Sequence, residues 1–146
     1  ITTGDVITYK EIEYNYMTLF DNEIINIMSY NYETILAEKY ESIISRNIDN
    51  TRMKDYYDLY MFVNLKWNKI NKDILRKAII NTAKNRNTLD YIDNAEKYLK
   101  LIAGDTRLIS LWNNYQNNYN FAKGVSFEDT IKAIKVINEV IVPVEI

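Results

Sequence analysis

The sequence has no cysteine and no histidine, a single proline and only three glycines. Without cysteine there is no disulfide framework and no thiolate chemistry. Without histidine the usual general base is missing, and Ser-His triads and His-ligated zinc go with it. So little proline and glycine leaves little punctuation, as expected of a mostly helical chain. No apolar run reaches the roughly 18 residues that a membrane span needs, and no charged-then-apolar leader opens the chain, so we expect neither a span nor an export signal. A net charge of -2 gives no global attraction to nucleic acid. Any such contact must come from a local patch, for which Arg46, Arg52 and Lys54 are candidates. What remains is 146 residues, 47% of them hydrophobic, enough for a domain with its own core.

The chain is organised around Asn31 to Leu65, NYETILAEKYESIISRNIDNTRMKDYYDLYMFVNL. This reads as two helices joined by a short polar loop. The first spans about Tyr32 to Arg46, with Asn31 as its N-cap. Tyr32, Leu36, Lys39, Ile43 and Arg46 fall on one face at helical spacing, so Lys39 interrupts an otherwise apolar seam. The second helix, from near Thr51, is polar only at its start, with Arg52, Lys54, Asp55 and Asp58. Leu59, Tyr60, Met61, Phe62, Val63 and Leu65 follow, and a helix apolar on nearly all sides is a buried one.

If the loop Asn47 to Asn50 folds these helices back antiparallel, Lys39 lies about 10 Å before Arg46 at roughly 1.5 Å per residue. A similar distance into the second helix reaches Asp58, with Asp55 one turn nearer the loop, so Lys39, Asp55 and Asp58 can face one another. Two readings fit that spacing. One is a structural ion pair closing a helical hairpin. The other is a phosphate-handling site in which a cation and a carboxylate meet at a helix start.

The segments ETILAEKYESIISR and NTRMKDYYDLYMF resemble the signature of the AbiEii/AbiGii toxins, the nucleotidyltransferase toxins of bacterial abortive-infection systems used in phage defence. Both segments stand nearly unbroken, in order and at the family's spacing. The opening ITTGDVIT also resembles the strand end that precedes them in the family, and the likeness thins past Leu65. It implies an enzyme that moves a nucleotide from an NTP to an acceptor such as the 3′ end of tRNA. Carried over residue by residue, it implies Lys39 and Asp55 as active-site residues with Asp58 in support. Arg52 and Lys54 would lie near nucleotide or acceptor phosphates, with Arg46 in the same basic patch. It implies Mg2+ as cofactor, a cognate antitoxin that need not touch this chain, and a cytoplasmic setting. The family's Gly-Ser or Gly-Gly turn and the Asp-x-Asp pair that holds the metal occur nowhere in the sequence. The chain also opens on Ile1 rather than Met, and we read it as the C-terminal part of a longer enzyme, inactive by itself.

In chain order, Ile1 to Tyr9 reads as a strand end with Gly4 and Asp5 as a turn; Asp5 is a candidate for a displaced catalytic carboxylate, but turn chemistry of the Gly-Asp kind is the favoured reading. Alternation from Tyr14 to Phe20, a turn at Asp21 and Asn22, and Glu23 to Tyr30 give a β hairpin. With the family likeness, residues 1–30 are expected to finish a nucleotidyltransferase sheet and 31–146 to form a helical domain of about six helices. After the central pair, Asn71 caps a third helix with Ile74, Leu75, Ala78 and Ile79 on one face. Lys72, Arg76, Lys77, Lys84 and Arg86 lie on the other, either as a solvated face or as an RNA-binding surface. A fourth helix runs from about Leu89 to Ala103, with Gly104 suited to its C-cap. Asp105 caps a fifth, whose stripe Leu108, Leu111, Trp112, Tyr115 and Tyr119 reads as core more than as a nucleobase shelf. Gly124 ends it, Ser126 and Asp129 form a weak capping box, and a last helix buries Ile131, Ile134, Ile137 or Asn138, and Ile141 before Pro143. The alternative to an enzyme is a helical module that binds RNA or a partner protein and carries no chemistry. A helical ribonuclease toxin is disfavoured by the lack of histidine.

Overall fold

A computed structural model describes residues 31–141. Among the described residues the chain is mainly α-helical, with seven α-helices and no strand: α1 (Tyr32–Arg46), α2 (Met53–Met61), α3 (Lys72–Asn85), α4 (Leu89–Asp93), α5 (Ala95–Ala103), α6 (Thr106–Asn118) and α7 (Phe127–Ile141). The hairpin, Asp5, the domain boundary at Asn31 and the tail after Ile141 involve residues outside the described ones.

The helix starts follow the capping residues. Asn31 accepts from the Thr34 amide at 2.8 Å, Asn71 from Ile74 at 3.0 Å and Asp105 from Leu108 at 2.9 Å. At α7 the Ser126 hydroxyl and the Asp129 carboxylate each take the other's backbone amide at 3.0 Å, so an aspartate completes the capping box.

The central helix is α1. Leu36, Ala37, Tyr40, Ile43 and Ile44 are fully buried along it, because it packs most extensively on α3 and also touches α2, α4 and α5. Each such aliphatic side chain taken out of water contributes on the order of 1.5–3 kcal/mol. Next in the chain, α2 packs chiefly on α7, with Tyr56 against Phe127, and its Tyr56, Tyr57, Leu59 and Met61 are all at most 1% exposed.

Several expectations are corrected. The predicted fourth helix is two, α4 and α5, broken at Asn94, whose side-chain amide donates to the Asp90 carbonyl at 2.8 Å and so competes with the helix ladder. The described residues therefore hold seven α-helices where about six were expected. After Met61 the backbone widens into a π turn over Phe62–Lys66 and then tightens into a 3₁₀ turn over Trp67–Lys69. The wider turn shifts the register, so Leu65 is exposed rather than buried. Ile74 is also exposed, while Leu75 and Ile79 are buried as expected and Ala83 is buried with them. Gly104 does take the C-cap position of α5, with φ -94 rather than a left-handed conformation; the positive-φ positions among the described residues are Asn47 and Asn87. Helix α6 ends at Asn118 and a 3₁₀ turn over Asn120–Ala122 follows, so Gly124 is not its terminator.

Candidate active site

The short polar connection between α1 and α2 turns the chain back on itself. Asn47 takes φ 39 and leads into a 3₁₀ turn over Asn47–Asp49, and the Asn50 carboxamide oxygen accepts the Arg52 amide at 3.0 Å. Asn50 is itself buried, and its Nδ2 has no hydrogen-bond partner among the described residues. The reversal lays the first two turns of α2 beside the middle of α1, where Lys39 breaks the apolar seam.

Lys39 Nζ lies 2.9 Å from Asp58 Oδ2 and 3.3 Å from Asp55 Oδ1. Lys54 reaches the same Asp58 oxygen at 2.9 Å, and Arg52 Nε lies 3.7 Å from Asp55 Oδ1. The five residues sort by exposure. The Asp58 side chain is 1% exposed and Asp55 8%, Lys39 is 16%, and Lys54 and Arg52 reach 42% and 68%. Two carboxylates thus form the floor, one ammonium bridges them, and two cations stand at the rim. An unpaired carboxylate at the depth of Asp58 would cost several kcal/mol, so its sharing between two ammoniums is what makes its burial tolerable. Asp55, in the first turn of α2, also sits at the positive end of that helix.

The family model of the nucleotidyl transferase AbiEii toxin, type IV toxin-antitoxin system, matches residues 1–133. The chain belongs to the AbiEii toxin family. No curated protein and no solved structure matches it. Membership brings with it an antitoxin partner, as the family is one half of a toxin-antitoxin pair.

In this AbiEii chain the structure brings together Lys39, Asp55, Asp58, Arg52 and Lys54. It leaves Arg46 apart. That residue is exposed at the end of α1, and among the described residues it forms no ion pair with the cluster. The basic face of α3 is largely engaged within the fold. Lys72 donates to the Trp67 and Ile70 carbonyls and lies 4.5 Å above the Trp67 ring. Arg76 donates to the Val140 carbonyl and to Asp73, and Arg86 pairs with Glu41. Lys77 and Lys84 are exposed, and the Arg76 and Arg86 side chains stay about half exposed despite these contacts.

Two buried acids escaped the sequence reading. Glu41 is 1% exposed and takes both Arg86 and the Thr88 hydroxyl, the latter at 2.7 Å, tying α1 to the connection between α3 and α4. Glu33 accepts the Asn71 amide at 3.1 Å, at the start of α3. The available signal was α1 itself: a helix packed on so many sides has no free face for its acids, so they need built partners.

Burial raises the Tyr56 phenol pKa well above its usual range, and the Asp55 and Asp105 charges add to this. Burial likewise raises Tyr115, with Asp58 and then Tyr119 contributing. A groove of about 780 Å³ runs elsewhere, along the start of α7, lined by Gln116, Lys123, Asp129, Lys132 and Lys135 among others. None of the ion cluster lines it.

The fit of magnesium can be tested on the donor set. Among the described residues no three carboxylates gather into a metal site, and the two that do meet are each held by ammonium or guanidinium groups. Those donors do not suit a hard dication, which takes several free oxygens.

Proposed function

We propose that the Lys39, Asp55 and Asp58 cluster is the nucleotide-transfer centre of this AbiEii toxin, or the share of it that this chain supplies. The reaction moves a nucleotidyl group from an NTP to an acceptor hydroxyl, with the 3′ end of tRNA as acceptor, in the cytoplasm and as part of phage defence. The observation that carries the reading is a lysine set into an apolar helix seam and met there by two carboxylates from the opening turns of the next helix.

Transfer of this kind asks the protein for alignment and charge compensation more than for a covalent intermediate. The acceptor oxygen attacks the α-phosphorus, the bond to the bridging oxygen breaks, and pyrophosphate leaves. Asp55, the less deeply held of the two acids, orients the acceptor hydroxyl and takes its proton. Lys39 offsets charge on the triphosphate, while Arg52 and Lys54, at the exposed rim, hold phosphate oxygens. Asp58 fixes Lys39 and Lys54 at their stations and takes no proton itself. No step is routed through magnesium. The ligands of that ion, together with a catalytic sheet to which residues 1–30 belong, are assigned to chain outside the described residues, and 31–146 to the helical domain.

The test is Asp55→Asn in the intact natural protein, followed by transfer of labelled nucleotide to RNA 3′ ends and by growth on expression. The expected outcome is a loss of transfer of about 10²-fold or more and relief of toxicity, with the protein still folded. Undiminished transfer refutes the assignment.

A further inference from the structure

Helix α2, which carries Asp55 and Asp58, starts in a different way from α1, α3, α6 and α7. At α1, α3 and α6 the N-cap side chain accepts an amide of the first turn, and at α7 the Ser126 hydroxyl does so. The N-cap of α2 is Arg52, whose side chain makes no capping bond. A guanidinium has donors only and cannot take an amide. The helix that bears the candidate site therefore lacks the usual lock on its first turn.

Asn50, two residues upstream, supplies one. Its carboxamide oxygen accepts the Arg52 amide at 3.0 Å, and the Arg52 carbonyl in turn accepts the Asp55 amide at 3.0 Å. Two hydrogen bonds through one residue thus lead from the Asn50 side chain to the backbone of Asp55. The Tyr56 hydroxyl adds a second tie, donating to the Asn50 carbonyl at 3.4 Å. On the upstream side Asn50 donates its own amide to the Asn47 carbonyl at 3.1 Å, and Arg107 anchors the turn to α6 by donating to the Ile48 carbonyl at 2.9 Å. Asn50 is 1% exposed, and among the described residues only its Nδ2 is left without a partner. A buried donor left unpaired destabilises a fold, so stability alone is a poor reason for an asparagine here.

Asp55 is the acid that needs such a lock. Asp58 is gripped by two ammoniums at 2.9 Å, whereas Asp55 meets Lys39 at 3.3 Å and Arg52 at 3.7 Å, both long for charge-assisted hydrogen bonds. Its direction is therefore set by where the α2 backbone begins. We propose that Asn50 is a positioning residue for nucleotide transfer, which aims the Asp55 carboxylate at the acceptor hydroxyl through the Arg52 peptide. The inference rests on the role given to Asp55 under the proposed function. Asn50 itself touches neither the nucleotide nor the acceptor.

Steady-state transfer of labelled nucleotide to RNA 3′ ends by the intact natural protein, expressed per folded molecule, tests this with Asn50→Ala, Asp55→Asn and the double variant. Asn50→Ala is expected to lower kcat about tenfold and to leave the KM for the nucleotide within about twofold, the pattern of a group misplaced for the chemical step alone. Added to Asp55→Asn it should cause little further loss, because two residues that act through one step are not additive. Asn50→Ser, whose hydroxyl makes the same kind of turn more weakly, should recover part of the rate, and it carries the comparison where Asn50→Ala does not fold. A cap with a structural role only would lower the melting temperature and leave kcat per folded molecule at the wild-type value. That result overturns the inference, as does an Asn50→Ala loss that adds in full to Asp55→Asn. Wild-type transfer by Asp55→Asn removes the reading beneath it; loss on Asp55→Asn with none on Asn50→Ala keeps that reading and removes Asn50.

Discussion

Lys39 on α1 and Asp58 on α2 meet at 2.9 Å, and the Asp58 oxygen that Lys39 touches is the one Lys54 holds from the other side. Two ammoniums on one oxygen make Asp58 the structural acid of the pair and leave Asp55, at 3.3 Å from Lys39, the more available one. Asp58→Asn should therefore cost about 2–3 kcal/mol of folding stability, near the lower end for a broken buried pair because both lysines keep some solvent. Asp55→Asn should cost about 1 kcal/mol or less. Urea unfolding of the two variants checks the order; equal losses, or a larger loss for Asp55→Asn, count against it.

The Glu41 contact to Arg86 and Thr88 is expected to be purely structural. Glu41→Gln keeps the shape but leaves Arg86 without its carboxylate, and Arg86→Ala leaves Glu41 buried and unpaired. The second change should be the more damaging, at about 3 kcal/mol, since the acid is buried and the guanidinium is half exposed. Denaturant midpoints decide the ranking. Transfer activity per folded molecule should be unchanged in Glu41→Gln.

Alkaline stability follows from three tyrosines. Burial lifts the folded-state pKa of Tyr40, Tyr56 and Tyr115 above the ordinary 10.0. Below pH 10 the folded and unfolded chains both carry neutral phenols and this contribution is fully present. As pH rises past 10 the unfolded chain ionises first, so stability falls steadily toward the raised folded values. Melting temperature against pH, read together with tyrosinate absorbance, should show unfolding and ionisation arriving together. Tyr40→Phe loses about 1 kcal/mol near neutral pH, because the hydroxyl donates to Asn138 at 2.8 Å, and it should flatten the alkaline slope.

Leu65 gives a test of the π turn. Leu65→Gln should change stability by less than about 0.5 kcal/mol, as an exposed position allows; a regular helix with Leu65 in the core predicts a loss of about 2 kcal/mol or more.

Much of this was readable in advance because it depends on local rules. Asn31, Asn71 and Asp105 announce their helices through single side-chain caps, and the meeting of Lys39 with Asp55 and Asp58 follows from helical rise and one reversal. The π turn was not readable, since Phe62 to Leu65 suits an ordinary helix and the segment's contacts with α7 come from far along the chain. Asn94 breaks a helix whose apolar spacing continues across it. Tyr119 follows the core period of α6 and leaves the core only because the helix stops one residue earlier. Glu41 and Arg86, far apart in sequence, could be paired only once α1 and α3 were in contact.

The most direct test of the phosphate-handling centre is the rate of nucleotide transfer by Lys39→Met, expressed per folded molecule. Asp58 keeps Lys54 and Asp55 keeps Arg52 in this variant, so the protein should fold. The account predicts a rate lower by about 10²-fold or more, the usual cost of removing one charge-stabilising donor. A folded Lys39→Met protein that transfers nucleotide at the wild-type rate would contradict it.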